Sequence, residues 1–343
     1  MNDLEYCCPR CHGPLASDAA AYQCLGCVAR YPVLFGIPDF RVYPDLYISI
    51  ENDHRKGGLL VERYAESTFR ELVEFYWSIT PDTPAEMASR FTEYAVAGIK
   101  RGDALLDDLG IPSALSNGAA SRRALDIGSR TGGTLAALSG RFAHVVGIDI
   151  AFRWLITARK LLEESGQRAQ LVCCCAENLP FAPGAFDFAF AENVIEHTRE
   201  PAALIKEARR ILAPNGMFAA TTWNRISPTP EPHVRLFGVG YLPRNLQKRY
   251  VKRFRGQDYD HVRLISAFGL KRIVNAAGFH SSLVSAAALT PAQVATVPRI
   301  LKPGIALFNV LRKVFAFRTL LAIIAPTLWL VAKQGAGSQV RKQ

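Results

Sequence analysis

Between residues 122 and 224 five short apolar runs recur: ALDI (124–127), VVGIDI (145–150), AQLVCCC (169–175), FDFAFA (186–191) and MFAATTW (217–223). Each run is too brief for a helix and reads as a strand buried on both faces. Helical patterns over 132–140, 152–164 and 200–212 separate them. Alternation of this kind leaves few folds open, because parallel strands need helical crossovers. The pattern predicts an α/β fold, a doubly wound parallel sheet with helices on its faces.

The rest of the chain divides around this block. Residues 1–40 are rich in Cys, Gly and Pro. Residues 41–118 carry helical patterns near 58–78 and 84–108, broken at TPDTP and ending in the small-residue linker Ala114–Ser121. The α/β domain is expected over 119–290, with a basic insertion at about 225–260, a helix at 266–277 and one more strand. Residues 291–343 form an apolar, basic tail, expected to be helical.

Cys8-Pro-Arg-Cys11 and Cys24-Leu-Gly-Cys27 are two CxxC pairs twelve residues apart. Each pair turns two thiolates toward one point, and two pairs supply the tetrahedral sulfur set that zinc prefers. Cys7 is adjacent, but the CxxC register favours Cys8. A four-thiolate site leaves no open position for chemistry, so the zinc is expected to be structural. Cys173, Cys174 and Cys175 end a buried strand, where cysteine packs as a small apolar residue. The first residues, MNDLEYCC, show no secretory pattern, and eight cysteines without one point to a reducing, cytoplasmic compartment. With the following YPVLFGIPDF, Cys8–Phe40 resembles the zinc-ribbon family related to the small activator subunit of certain methyltransferases.

The stretch LDIGSRTGG (125–133) joins a strand to a helix, the context of a nucleotide-binding turn. GxGxxG is not met, so the turn alone leaves the nucleotide open. The next strand ends on Asp149, where a carboxylate is placed to accept ribose hydroxyls. AENLPF (176–181), FDFAFAENVIEH (186–197) and RRILAPNG (209–216) follow in order. Over about 120–285 these motifs resemble the class I S-adenosylmethionine-dependent methyltransferases, of the group that includes quinone-ring methyltransferases. The resemblance implies S-adenosylmethionine as cofactor. Asp126, Gly128 and Gly132 would meet its methionine end, Asp149 its ribose, and Cys175, Ala176 and Glu177 its adenine, with Ile150 also among the cofactor-binding residues. Ala191 and Glu192 would lie near the sulfonium and the acceptor. Two residues depart from the family pattern: Arg130 replaces a glycine and Cys175 an aspartate. A third reading is therefore a non-catalytic scaffold with a degenerate turn.

Methylation of a hydroxyl needs a base near neutral pKa, and histidine fits best. His197, His233 and His261 are the candidates, with His233, Arg235 and Tyr241 the preferred acceptor-side group. The helices before the first strand, with Phe75, Tyr76 and Trp77, suit a lid. The net charge of +11 sits at one end: after Asp260 there are eleven Lys and Arg and no acid. The charge-free run Thr319–Ala332 is shorter than the roughly twenty residues a spanning helix needs. We therefore expect the tail to lie on an anionic membrane, at its cytoplasmic face. The expected acceptor is lipid-linked, a quinone or a cell-envelope glycan. The alternative is an RNA methyltransferase using the zinc ribbon and the basic run Arg244–Arg255.

Overall fold

The computed structural model describes residues 4–81, 83–111, 122–289, 302–312 and 314–336, with Val294 and Arg299. The linker Ala114–Ser121 and parts of the tail lie outside the described residues. The chain forms two compact units, residues 1–190 with 210–216, and residues 191–209 with 217–343.

The first unit begins with a four-stranded antiparallel sheet: β1 (Leu15–Ser17), β2 (Ala21–Cys24), β3 (Arg30–Leu34) and β4 (Ile37–Pro38). Four helices follow: α1 (Ile50–Arg63), α2 (Phe69–Ser78), α3 (Ala85–Val96) and α4 (Gly98–Asp108). Each of the two expected helical patterns is thus a pair of helices. The first divides because Thr68 starts a new helix with a capping box: its hydroxyl accepts from Glu71 N, and the Glu71 carboxylate accepts from Thr68 N at 2.7 Å. Next come β5 (Arg123–Ile127), α5 (Gly133–Ser139), β6 (His144–Asp149), α6 (Phe152–Glu164), β7 (Gln170–Cys173) and β8 (Phe186–Glu192). β5, β6 and β7 pair in parallel. Helix α4 lies directly on α5 through glycines. A Cβ on Gly133 would stand 2.5 Å from Gly98 Cα, and one on Gly102 would stand 2.9 Å from Thr134 Cα. Any larger side chain there forces the two helices apart.

α7 (Pro201–Ile211) and β9 (Leu212–Trp223) run through both units. The second unit continues with α8 (Arg244–Arg255), α9 (Ala267–Ala277), β10 (Ser281–Ala286), α10 (Lys302–Leu311), α11 (Phe315–Leu321) and β11 (Thr327–Lys333). β11 pairs antiparallel with both β9 and β10, with Leu330 opposite Ala220 on one side and Val284 on the other. The seven strands form a mixed sheet in the order β10-β11-β9-β8-β5-β6-β7.

The tail therefore does not stay helical: the last six residues of the charge-free run Thr319–Ala332 belong to a sheet strand. Leu328, Trp329, Leu330 and Ala332 are buried in it. A strand covered on both faces and a buried helix look alike as short apolar runs, and Pro326 ends the helical part. Buried Asn224 fixes this turn, sharing its amide NH2 among the carbonyls of Ala322, Ile323 and Ala325 at 2.9–3.1 Å. Among the described residues no helix is long and apolar enough to cross a membrane.

Candidate active site

The four cysteines of the two CxxC pairs converge. Their sulfurs all lie within 4.8 Å of one another, with Cys8–Cys27 and Cys11–Cys24 at 3.5 Å. A tetrahedral zinc–thiolate site has sulfur–sulfur edges of roughly 3.8 Å from its Zn–S distance, so this set fits zinc. The backbone N–H groups of Gly26 and Cys27 donate to Cys24 Sγ at 3.3 Å, and the Tyr31 hydroxyl lies 3.3 Å from Cys8 Sγ. These are donors a thiolate would use. Gly13 lacks a Cβ that would press on Cys11 Sγ at 3.3 Å. Among the described residues this is the one cluster of His, Cys, Asp or Glu suited to a metal.

In the first unit, β5 runs into the glycine turn. Gly128 and Gly132 have φ of 76° and 89°, the left-handed region that glycine enters freely. Gly132 is also tight, since a Cβ would stand 2.9 Å from Ala158 Cβ. Arg130 takes the same region at φ 49°, which explains why glycine suits that position. The Arg130 amide donates to Asp149 Oδ2 at 2.8 Å, and the Ala151 amide to Asp149 Oδ1 at 2.8 Å. Arg130 thus joins the site through its backbone. Burial pushes the Asp149 carboxyl above the usual aspartate range, against these two amide donors. Asp126 is 1% exposed at the end of β5. Ala176 and Glu177 are half-buried, while Cys175 is fully buried with its Sγ 3.6 Å from the Tyr43 carbonyl. Burial raises that thiol to about 11.

A buried ion network, not anticipated from the sequence, holds the loop after Asp149. Asp53 of α1 is 0% exposed. It accepts from Phe152 N at 2.8 Å and pairs with Arg153 at 2.6 Å and Arg41 at 2.7 Å. Arg41 also donates to the Ile150 carbonyl at 3.1 Å and pairs with Asp39. Burial would raise the Asp39 carboxyl, but His54 and Arg41 outweigh it and hold it at about 2. Asp53 caps α6, whose own N-cap, Ala151, has no side chain to do so. The residues involved lie far apart in sequence, so no local spacing announced the network.

In the second unit, Ala191 and Glu192 are buried at the end of β8. Asn193 turns the chain at φ 50° and donates its amide to Thr221 O at 3.0 Å. A short 3-10 turn, Ile195–His197, follows. His197 Nε2 lies 3.1 Å from His233 Nε2, with the rings edge to face at 4.8 Å. His233 Nδ1 lies 2.5 Å from Glu231 Oε1, and Glu231 also accepts from Val234 N at 2.8 Å. The Glu231 side chain is 2% exposed and that of His233 24%. The two expected histidines are therefore neighbours, joined to a buried carboxylate that sequence reading missed. Its signal was present in Glu231-Pro232-His233, an acid two residues from a candidate base. Tyr241 donates to the Ile226 carbonyl at 3.0 Å, Arg235 sits at φ 52°, and His261 is in the loop before Val262.

Residues 125–220 match a family model described as a methyltransferase domain. The biotin biosynthesis bifunctional protein BioHC of Cellvibrio japonicus is 42% identical over 130 residues, covering 37% of this chain and 24% of that protein. A ubiquinone biosynthesis O-methyltransferase of Idiomarina loihiensis is 26% identical over 183 residues, covering 51% of this chain and 69% of that protein. The chain thus spans about a quarter of the first relative's length. A phosphoethanolamine N-methyltransferase 2 from Haemonchus contortus, solved with phosphomonomethylethanolamine and S-adenosylhomocysteine, aligns at a TM-score of 0.46 and 20% identity, covering 69% of this chain and 53% of that one. The matched segment takes in the glycine turn and strands β5 to β8 of the sheet, so this part of the chain is a methyltransferase domain by its family match.

Proposed function

We propose that this chain, whose residues 125–220 form a methyltransferase domain, moves the methyl group of S-adenosylmethionine onto a hydroxyl of a quinone-like or lipid-linked acceptor at the cytoplasmic face of a membrane. The curated relative that methylates oxygen in ubiquinone biosynthesis supports the acceptor class. The observation that carries the reading is the chain Glu231–His233–His197. The cofactor, when bound, supplies an activated methyl on a sulfonium. The turn through Gly128 and Gly132 would receive the cofactor's amino-acid end, and the Asp149 carboxylate would take the ribose hydroxyls. His197 follows the strand end at Ala191 and Glu192 by five residues, in the same unit. A proton taken from the acceptor hydroxyl by the imidazole pair is stabilised by Glu231, as in other carboxylate–histidine pairs. Cys8, Cys11, Cys24 and Cys27 hold a structural zinc in this reading.

The test uses S-adenosylmethionine with a labelled methyl group and a membrane lipid extract. Glu231→Gln and His233→Asn should each slow transfer by roughly 10²-fold, the usual worth of a positioned base. Cofactor binding by both variants should stay unchanged. Full-rate transfer by His233→Asn would remove the base assignment.

A further inference from the structure

Helix α8 turns apolar side chains outward among its charges. Leu246, Tyr250 and Phe254 recur every four residues and so share one face. The inward side adjoins this stripe: Gln247 and Val251 are buried, Val251 packs in a small core with Val234, Val239, Tyr259 and Val262, and half-buried Tyr250 lies against that core, so Leu246 and Phe254 are the outward members. Leu246 is 41% exposed and Phe254 60%. Phe237, whose carbonyl accepts from the Tyr250 hydroxyl at 3.1 Å, is 61% exposed, and Tyr241 56%.

Around this stripe α8 carries six cations and no acid. Lys248 pairs with Asp260, and Lys252 with Asp258 at 2.9 Å. Arg255 donates to the carbonyls of Val234 and Arg235. Arg244, Arg249 and Arg253 leave their charge uncompensated by a salt bridge among the described residues. Aromatic and aliphatic side chains set outward among cations mark an interfacial helix: the apolar groups enter the acyl boundary while the cations meet anionic headgroups. A nucleic-acid backbone would use the cations and leave Leu246 in water without a role.

We infer that the exposed face of α8, with Phe237, docks on an anionic lipid bilayer. This surface is separate from the apolar tail. Its purpose rests on the proposed membrane-borne acceptor, since Val234 of the same small core adjoins His233 and fixes it to the docked element. Its evidence, the exposed stripe and the cations, stands apart from that reading.

The experiment is co-sedimentation of the full chain with vesicles of phosphatidylcholine alone and with about one-third phosphatidylglycerol, with S-adenosylmethionine binding measured in parallel. Leu246→Ser combined with Phe254→Ser should lower binding to the anionic vesicles by about tenfold or more, and leave cofactor binding and the circular dichroism unchanged. Phe254→Trp should bind like the native chain, with its fluorescence blue-shifted on anionic vesicles only. Native-like sedimentation of the double variant overturns the assignment, as does a tryptophan that stays in water. A native chain that ignores vesicles, or prefers single-stranded RNA to them, also overturns it. In either case retained cofactor binding leaves the methyltransferase reading standing. Vesicle binding without cofactor binding refutes that reading and leaves the docking face intact.

Discussion

Arg130 is the residue that looked most damaging to a cofactor site, and the structure shows how it fits. Its backbone amide meets Asp149, and its left-handed backbone costs about 1–2 kcal/mol in an L-residue. Arg130→Gly removes that strain but frees the unfolded chain, so the two effects nearly offset and stability should shift by less than about 0.5 kcal/mol. Arg130→Val, β-branched at positive φ, should lose about 1–2 kcal/mol in urea unfolding. Equal midpoints for the two variants would contradict the assigned geometry. Asp149 adds a pH dependence. Its carboxyl is raised by burial, so its ionised form costs stability above the unfolded value near 3.8, a cost that disappears as pH falls through the raised value. Ribose binding needs the ionised form, so cofactor affinity should move the other way and begin to fall at a higher pH than an ordinary aspartate allows. Calorimetric titrations at descending pH should show this loss in the native chain and not in Asp149→Asn.

Among the elements, the close pair α4 and α5 shows what local sequence conveys and what it hides. The helix after the turn was legible from periodicity, expected at 132–140 and found at Gly133–Ser139. α6 was legible to the residue at Phe152–Glu164. Contact between Gly98 and Gly133 was not, because it joins segments 35 residues apart and glycine carries no apolar signal. Gly133→Ala should push α4 off the turn and cost about 1–3 kcal/mol of overpacking. A thermal melt at or above the native midpoint would show that the two helices do not meet as described. β11 is the complementary case. Its apolar residues were visible, but a seven-residue strand between β9 and β10 is chosen by partners far away in sequence. The Asp39–Arg41–Asp53–Arg153 network was hidden for the same reason, since each charge read alone passes for a solvated one.

For the whole molecule, the order of strand-ending motifs carried most of the functional information. The alternation from 122 to 224 announced an α/β sheet, and the CxxC pairs announced a converging thiol set. The antiparallel edge formed by β10 and β11, and the partner of His233, needed the folded chain. Cofactor binding is the claim on which the functional account turns. Isothermal titration of the full chain with S-adenosylmethionine should give saturable binding, and Asp149→Ala should abolish it while leaving the circular dichroism unchanged. Absence of heat at millimolar cofactor, or native affinity in Asp149→Ala, would contradict it.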